Sequence, residues 1–406
     1  MENLPAEMKQ KIISRYSKIQ QFEPLLPQTK IDVLKTKATE LIEQSSGLGL
    51  GVHSSSLASI KELVRSMNSY YSNRIEGQGT HPANIERALL KDFSGKPNIA
   101  KLQRIAIAYI DAEKELEKFS TFGLESTLKS TTLVNAHHAL YSRLAPQDRT
   151  TPEGRIIEPG KIRGEDVIVG NHEPPIWSSV PNFLERMDTV YAKSAGFQQG
   201  LISIACEHQR GMWVHPFLDG NGRAIRLQTH LALIPLTKGL WSMNRGLARH
   251  RESYYAHLSA ADFPRQGDLD GRGNLSEKYL WEWCNWFLTI AKDQVDFMEK
   301  ILDLKKMKNN IEGLIFYLAS QDRLIRKEAI VPLHHLYLAG PIKRGEFLQM
   351  TGLGERNARS LLSRLIEIGL IKSKNHKSPV QFSFPLNALQ FLLPNLYPEA
   401  ATTNDE

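Results

Sequence analysis

Residues 215–226, H-P-F-L-D-G-N-G-R-A-I-R, place a histidine, an acid, two glycines around an asparagine and two arginines in twelve positions. Apolar stretches with helical periodicity flank them: G-L-I-S-I-A-C-E-H-Q-R-G-M-W-V begins at residue 200, and L-Q-T-H-L-A-L-I-P-L begins at residue 227. The pattern predicts a helix, a tight loop and a second helix. This stretch therefore favours a helical fold with its chemistry at the loop.

The residue types in the loop are those of a phosphate site. Gly220 and Gly222, on either side of Asn221, allow backbone angles that are closed to other residues, so successive N–H groups can converge on an anion. These amides would open the second helix, whose positive end favours phosphate. Arg223 and Arg226 are three positions apart and share a face of that helix, where guanidinium groups suit phosphate oxygens.

Two further residues supply an acid and a base. Asp219 is a carboxylate in a cationic loop, which suits a magnesium ion that bridges phosphates. His215 is a titratable base at the edge of the loop and could take a proton from an incoming hydroxyl. A helix cap with an ordinary turn is the alternative, and a Gly-x-Gly turn alone would favour it. The acid, the base and both arginines together favour the phosphate site.

At these residues the chain resembles the Fic family, whose motif is His-x-Phe-x-Asp/Glu-Gly-Asn-Gly-Arg-x-x-Arg, with every specified position filled. The resemblance implies a mainly α fold, in which a helical core carries a short β-hairpin flap, and a site for ATP with Mg²⁺. The reaction it implies is the transfer of AMP to a protein hydroxyl. The implied roles are general base for His215, magnesium ligand for Asp219, anion hole for Gly220, Asn221 and Gly222, β- and γ-phosphate contacts for Arg223 and Arg226, and core anchor for Phe217.

Composition sets wider bounds. The chain has 406 residues, 41% of them hydrophobic and 23% charged, as in soluble globular proteins with two or three domains. A net charge of +7 permits contact with nucleic acid without requiring it. Cys206 and Cys284 lie in apolar helical patterns, which favours buried thiols in a reducing compartment. Because neither a signal peptide nor an apolar run of membrane-spanning length is recognised, a cytoplasmic protein without a membrane partner is expected.

A second motif ends an earlier helix. Apolar spacing predicts a helix from about Ser54 to Ile75 that ends in S-N-R-I-E-G, with Gly77 as a C-terminal cap. Glu76 lies four residues after Ser72 and opposes the helix dipole, so an arginine partner would suit it, whereas a solvated glutamate at a frayed end is the alternative. The stretch matches the Fic inhibitory motif Ser/Thr-x-x-x-Glu-Gly/Asn. The resemblance implies that Glu76 pairs with Arg226 and keeps that arginine from the γ-phosphate.

Residues 145–180 are rich in proline, glycine and charge. Short apolar segments on either side of Gly164 predict a hairpin, with a plain surface loop as the alternative. The Fic resemblance identifies this region as the flap, and P-G-K-I-R fits its usual start. An exposed strand edge there could hold a target segment by β-addition, and Ile168 and Val169 are the flap residues expected to do so.

Three other features have weaker signals. Tyr254 and Tyr255 occupy the place where Fic proteins often carry a tyrosine pair beside the nucleotide, so Tyr255 is predicted to bind nucleotide, with an aromatic pair in the core or at the rim as the alternative. The polar run of residues 263–278 is longer than the family pattern. His137 and the histidine after it point in different directions on a helix, so they favour core or rim positions over a metal site.

The last part of the chain resembles a winged helix. R-G-E-F-L-Q-M-T-G-L-G-E-R-N-A-R-S-L-L-S-R-L predicts helix, turn, helix, and a short basic hairpin follows. The residues expected on the exposed face of the second helix and on the wing are Arg356, Arg359, Ser360, Ser363, Arg364, Lys372, Lys374 and Lys377. This basic face could meet a phosphate backbone, or the module could pack only against the core or a second chain.

These patterns divide the chain into four parts. Residues 1–95 are predicted as an N-terminal arm and helical region with the inhibitory helix, 96–300 as the Fic catalytic core, 301–398 as the winged-helix-like domain, and 399–406 as a disordered tail. The expected partners are ATP and a protein target, which includes the chain itself, with DNA and a second copy of the chain left open. The resulting function is a self-inhibited protein adenylyltransferase. The alternatives are a nucleotide-sensing, DNA-binding transcription regulator and an enzyme that also removes AMP.

Overall fold

The fold was analysed in a computed structural model. It describes residues 16–120, 123–151, 153–193 and 196–401. The start of the predicted N-terminal arm and the end of the predicted tail, residues 1–15 and 402–406, lie outside the described residues.

The described chain is mainly helical, as the sequence predicts. The helices in chain order are α1 (Ile31–Ser46), α2 (Ser54–Ile75), α3 (Pro82–Leu89), α4 (Pro97–Ser120), α5 (Gly123–Thr127), α6 (Ser130–Tyr141), α7 (Val180–Tyr191), α8 (Gly196–Val214), α9 (Asn221–Thr237), α10 (Met243–Arg249), α11 (Arg251–Ala260), α12 (Glu277–Ile301), α13 (Leu304–Gln321), α14 (Ile330–Ala339), α15 (Arg344–Met350), α16 (Glu355–Glu367) and α17 (Leu389–Leu392).

The chain divides into two compact units, each built from three stretches of sequence. Of the described residues, the first unit comprises those within 16–42, 111–235 and 247–291, and the second comprises those within 43–110, 236–246 and 292–401. The first unit contains the whole of the 215–226 loop, the helix α8 before it and α9 up to residue 235. The four-part division made from the sequence stays a prediction.

The core of the first unit is built on α8, whose residues from Gly200 to Gly211 are all buried. Trp283 of α12 is buried as expected for a tryptophan that seals a core, and its indole N–H donates to the carbonyl of Ala205 at 2.6 Å. The thiols of Cys206 and Cys284 are buried with their Sγ atoms 3.3 Å apart. Helix α8 is thus fixed along its length, which positions the loop that follows it.

The segment F-E-P-L-L-P-Q, residues 22–28, forms an N-terminal strap in which Phe22 and Leu25 are buried. The Arg210 guanidinium holds it in place, because it donates from Nη2 to the carbonyl of Pro24 at 2.8 Å. The strap is therefore part of the first unit's core.

The predicted hairpin around Gly164 is also displaced. A single antiparallel bridge joins Val169 to His172, with Gly170 in the turn at φ 61°. The Arg163 backbone accounts for this, since its N–H donates to the carbonyl of Pro216 at 2.9 Å instead of to the opposite strand of the predicted hairpin. Where the hairpin is predicted, the described chain is therefore a loop, and the Val169–His172 bridge is centred about six residues later than predicted.

A two-stranded sheet lies in the second unit. Strands β1 (Ile371–Lys372) and β2 (Gln381–Phe382) are antiparallel, with Ile371 opposite Phe382. A further antiparallel bridge joins Ile342 to Val380. Helices α15 and α16 followed by this hairpin have the order that the sequence predicts, and the assignment of these elements as a winged helix stays a prediction.

Among the residues that the structure describes, no helix combines the length and the apolar character needed to cross a membrane.

Candidate active site

The loop between α8 and α9 is tied to itself by Asn221. The Asn221 side chain is buried, accepts the N–H of Phe217 at 2.8 Å and donates to the carbonyl of the same residue at 2.8 Å. At the start of the loop, the His215 N–H still bonds the carbonyl of Gly211, while the His215 backbone turns to φ 50°. The loop therefore holds one shape, and His215 sits at its corner.

Gly220 is required by backbone and packing together. Its φ is 80°, a region that side chains with a Cβ rarely adopt. A Cβ there would lie 2.6 Å from Cζ of Tyr141 and closer still to the Tyr141 hydroxyl. The Tyr141 ring thus occupies the space beside the glycine, and a side chain at this position would displace the loop.

The N-terminus of α9 supplies the anion-binding geometry. The first intrahelical bond runs from the N–H of Ala224 to the carbonyl of Gly220 at 3.0 Å. The amides before Ala224, those of Asn221, Gly222 and Arg223, precede the first intrahelical bond and point out of the helix end, which is the arrangement expected of an anion site. The Asn221 side chain shapes the loop, so its contribution to an anion hole would come from its backbone N–H.

His137 of α6 supports the loop from below. Its Nδ1 accepts the N–H of Gly160 at 2.8 Å, so the proton lies on Nε2, which donates to the carbonyl of Asp219 at 3.1 Å. The ring stacks on Phe217 with centroids 3.9 Å apart. Burial lowers the pKa of His137 to about 4, and the positive charge of Arg223 contributes to the shift. His137 is therefore a neutral support of the loop.

Arg223 is held in a fixed orientation. Its side chain is buried, donates from Nη2 to the Tyr141 hydroxyl at 2.7 Å, and lies over the Tyr141 ring at 5.4 Å. Tyr141 therefore acts on both sides of the loop, because it fills the space beside Gly220 and orients Arg223. A preset guanidinium suits a phosphate better than a mobile one.

Asp219 is suited to a divalent cation. Its Oδ1 accepts the N–H of Gly220 at 2.6 Å, and its Oδ2 lies 3.8 Å from Nη2 of Arg223. The side chain remains 46% exposed, so it can accept a further ligand. A carboxylate oxygen of this kind, beside a phosphate site, fits the preference of Mg²⁺ for oxygen ligands and substrate phosphates.

Another group with metal-binding residue types lies further along α9. Nε2 of His230 is 3.3 Å from Oε1 of Glu113 on α4, and Glu117 completes a set whose ligand atoms lie within 4.8 Å of one another. His230 and Glu113 are buried, so their pairing is protected from solvent. The group links α4 to α9 one helical turn after Arg226 and fits a polar contact between the two helices.

Arg226 is buried on α9, close to a histidine with an altered pKa. His208 bonds the hydroxyl of Tyr254 through Nε2 at 2.8 Å. Burial, with the charge of Arg226, lowers the pKa of His208 to about 3.

Tyr255 is 39% exposed and stacks against the guanidinium of Arg251 at 5.6 Å. Tyr254 is thus a core residue, and the nucleotide-binding role of Tyr255 stays a prediction.

Arg163 joins the segment before the flap to the loop. Its N–H donates to the carbonyl of Pro216, and its Nε donates to the carbonyl of His215, both at 2.9 Å. In the expected flap, Ile168 is 72% exposed and Val169 is 40% exposed. These two apolar side chains are open to a partner, and their role stays a prediction.

Ser72 and Glu76 lie in the second unit, at the end of α2. Helix α2 spans the residues predicted for it, and Gly77 at φ 73° ends it in a Schellman motif, with N–H bonds from Gly77 to Arg74 and from Gln78 to Asn73. The Ser72 side chain is buried, whereas Glu76 is exposed at the helix end. The pairing of Glu76 with an arginine of the motif stays a prediction.

Sequence reasoning did not identify all the supports of the loop. His137 was interpreted only as a core or rim histidine, and Tyr141 received no role, because both precede the loop by many residues. Arg163 lies within the quoted P-G-K-I-R stretch, but its bonds to His215 and Pro216 follow only from the fold. The sequence signal for the first two supports is their spacing, since a histidine and a tyrosine four residues apart lie on one face of a helix.

Comparisons with known proteins agree with this geometry. Residues 127–233 match the model of the Fic/DOC family. The matched range includes His137, Tyr141, Arg163 and the whole loop.

Two curated relatives carry the name Protein adenylyltransferase Fic. The one from Nematostella vectensis is 24% identical over 211 residues, which is 49% of this chain and 43% of the relative. The one from Aedes aegypti is 26% identical over 185 residues, which is 42% of this chain and 36% of the relative. The chain thus spans less than half the length of either relative.

Two solved structures share the fold. The crystal structure of a Fic family protein from Desulfovibrio desulfuricans aligns with a TM-score of 0.51 at 17% identity, over 89% of this chain and 98% of that chain. A Fic domain containing signaling protein from Bacteroides thetaiotaomicron aligns with a TM-score of 0.50 at 15% identity, over 64% of this chain and 95% of that chain.

Proposed function

Because the chain is a Fic family protein, we propose that it is a protein adenylyltransferase, which transfers AMP from ATP to a Ser, Thr or Tyr hydroxyl of a protein. The observation that carries the proposal is the complete loop of residues 215–226 at the N-terminus of α9. The names of the curated relatives support it.

The proposed roles follow from the positions of the residues. Amides at the start of α9 bind phosphate oxygens, and Arg223 and Arg226 neutralise the β- and γ-phosphates. Asp219 would hold Mg²⁺, which when bound neutralises phosphate charge. Positioning and charge stabilisation of this kind supply most of the catalysis in transfers from nucleoside triphosphates.

His215 would act as the general base. The acceptor oxygen attacks the α-phosphorus, the bond between the α- and β-phosphates breaks, pyrophosphate leaves, and the acceptor proton passes to the His215 imidazole. The corner position of His215, tied through its carbonyl to Arg163, would hold the imidazole at the open edge of the loop. Ile168 and Val169 would hold the acceptor segment beside it by β-addition.

A labelling experiment tests the reaction. The protein is incubated with Mg²⁺ and ATP labelled at the α- or the γ-phosphate, and label is measured on the protein and on added acceptors. We expect label from the α form only, reduced at least about 10²-fold in His215→Ala with ATP binding retained. His376→Ala, which changes an exposed histidine of the wing, is the control and should behave as wild type. Label from the γ form alone would establish phosphoryl transfer and exclude the proposal.

We further propose that Glu76 inhibits the enzyme by pairing with Arg226, with Ser72 as the other residue of that motif. Support comes from the match of residues 72–77 to the inhibitory motif and from the position of Glu76 as the C-cap of α2. Glu76→Gly should raise self-modification several-fold, whereas Glu40→Gly, at another exposed glutamate, should not. Equal activity of the two variants would exclude self-inhibition. A time course in which bound AMP is lost again only when Glu76 is present would favour AMP removal as a second activity.

DNA binding is a second candidate function, favoured by the basic surface of residues 355–377. Arg356 and Arg359 are exposed on α16, as are Lys374 and Lys377 on the wing. A winged-helix domain with this surface would bind phosphate backbones, and the nucleotide site would then act as a sensor. No retardation of plasmid DNA at low salt would exclude it.

For the compartment we retain the cytoplasm, supported by the two buried thiols.

A further inference from the structure

The first unit contains a pocket beside the motif loop that the proposed reaction does not use. The pocket has a volume of about 280 Å³. Its apolar lining comes from Ile156, Ile157 and Ile162 on one side and from Leu218 of the motif loop on the other. We refer to these four residues as the Leu218 pocket.

The pocket and the motif loop are connected by the hydrogen bonds of Arg163. Arg163, which also lines the pocket, donates to the carbonyls of His215 and Pro216. Leu218 follows His215 by three residues, so their Cα atoms are at most about 11 Å apart. An extended chain advances about 3.3 Å per residue, so a bound segment could cover this distance with about three residues.

The rim favours a neutral occupant. Nζ of Lys161 lies 2.6 Å from Oε1 of Glu158, and Arg155 pairs with Glu165, so the rim charges are balanced in pairs. An incoming charged group would have to break one of these pairs. An apolar side chain would instead cover Ile156, which is 55% exposed, and remove apolar surface from water.

The volume of the Leu218 pocket favours a single side chain as its occupant. Pockets that bind whole drug-sized ligands have volumes of roughly 300 to 1,000 Å³, so the Leu218 pocket is at or below the lower end of that range. A single Leu, Ile, Met or Phe side chain, presented by a protein segment, matches a pocket of this size and lining. The nucleotide is excluded because its phosphates require the amides and arginines at the start of α9.

We propose that the Leu218 pocket selects protein acceptors that carry a large apolar residue about three positions from the modified hydroxyl. The inference rests on the proposed AMP transfer, since it names the substrate class of that reaction. The pocket reads the neighbouring residue, while His215 acts on the hydroxyl.

The test uses a peptide library and the 406-residue chain. Each peptide carries a central Ser, Thr or Tyr with randomised flanking residues. Peptides retained by immobilised protein are sequenced, and the same library is assayed for transfer from α-labelled ATP. The variants are Ile156→Asp in the pocket and Leu269→Asp at a fully exposed apolar residue elsewhere in the first unit. Thermal melting shows that both variants are folded.

We expect the retained peptides to be enriched in Leu, Ile, Met or Phe at one position about three residues from the hydroxyl. The enrichment should fall about tenfold in Ile156→Asp, which corresponds to about 1.4 kcal/mol, and stay unchanged in Leu269→Asp. No enrichment, equal enrichment in Ile156→Asp, or an equal loss in both variants would overturn the proposal. Apolar enrichment without AMP transfer would contradict the proposed reaction and leave the pocket assignment standing, whereas transfer with unselective flanks would contradict the pocket alone.

Discussion

The motif loop and the wing between β1 and β2 are both short polar segments with basic residues nearby, but they differ in where their polar groups point. In the motif loop, Asn221 and Arg223 are buried and bonded within the protein. In the wing, residues 374–377 are exposed, and the Asn375 side chain accepts only local N–H groups, those of Lys377 and Ser378. A loop fixed from several sides can hold reacting atoms in place, whereas an exposed basic segment can supply only a surface field.

The largest difference in stability is expected between alanine variants of two glycines with positive φ. Gly220→Ala combines unfavourable backbone angles with overlap of the Tyr141 ring and should reduce the free energy of unfolding by about 2 to 5 kcal/mol. Gly352→Ala, at φ 66° in the turn between α15 and α16, has nothing within 4 Å of the added Cβ and should cost only about 1 to 2 kcal/mol. Chemical denaturation of both variants measures the difference. Equal losses would show that packing around the motif loop adds nothing.

The two asparagines give the next contrast. Asn221→Ala leaves the buried N–H and carbonyl of Phe217 without their partner and should cost about 2 to 4 kcal/mol, with a large loss of AMP transfer. Asn375→Ala removes an acceptor from two exposed amides of the wing, those of Lys377 and Ser378, and should cost less than about 1 kcal/mol. Denaturation and transfer are measured on both variants. A stable and active Asn221→Ala protein would contradict the role assigned to the loop's internal bonds.

A third contrast concerns pH. Below its ordinary pKa of 6.5 the imidazole of His137 gains a proton in the unfolded chain, whereas the folded protein keeps it neutral down to about pH 4. The stability that depends on this difference is present above pH 6.5 and is lost as the pH falls toward 4, by at most about 3 kcal/mol. His137→Phe keeps an aromatic ring and should flatten the pH dependence of the unfolding free energy in this window.

His334 of α14 is the matched control for this experiment. Burial lowers its pKa too, but the side chain is only partly buried, so His334→Phe should change the pH profile less. AMP transfer by His137→Phe should also fall by about 10- to 100-fold, because the carbonyl of Asp219 loses its support. Identical profiles for the two variants would contradict the support role of His137.

The smallest effect is expected at the wing. Lys374→Glu together with Lys377→Glu should leave stability and AMP transfer within experimental error, because both side chains are exposed. If the second unit binds DNA, the double variant should weaken binding and reduce its dependence on salt. Gel retardation over a salt series measures this, and loss of AMP transfer in the double variant would contradict the contrast drawn above.

The same contrast explains how far the sequence could predict the molecule. Helix α2, its glycine cap and the helix-loop-helix at residues 215–226 follow from local periodicity and glycine placement, and the structure has them where they are expected. The prediction of a hairpin centred on Gly164 was wrong, because Arg163 makes long-range hydrogen bonds in place of a regular ladder.

A residue distant in sequence also changed the environment of a side chain that was predicted to be exposed. Arg364 was expected on the exposed face of α16, but its Nε donates to Asp322 at 2.5 Å and its Nη1 pairs with Glu367 at 2.7 Å. Arg359 stays exposed, although it pairs with Glu355 on the same helix. Partners distant in sequence, like His137 for the loop, require the fold before they can be seen.

One measurement tests the central claim most directly. The Glu76→Gly variant and the Glu76→Gly, His215→Ala double variant are each incubated with Mg²⁺, a pool of hydroxyl-bearing peptides and, in parallel reactions, α-labelled or γ-labelled ATP. AMP label on the chain or on the peptides of the single variant, reduced at least about 10²-fold in the double variant, is the predicted result. Equal labelling by the two variants, or label that transfers only from γ-labelled ATP, would contradict the assignment of the loop as the centre of AMP transfer.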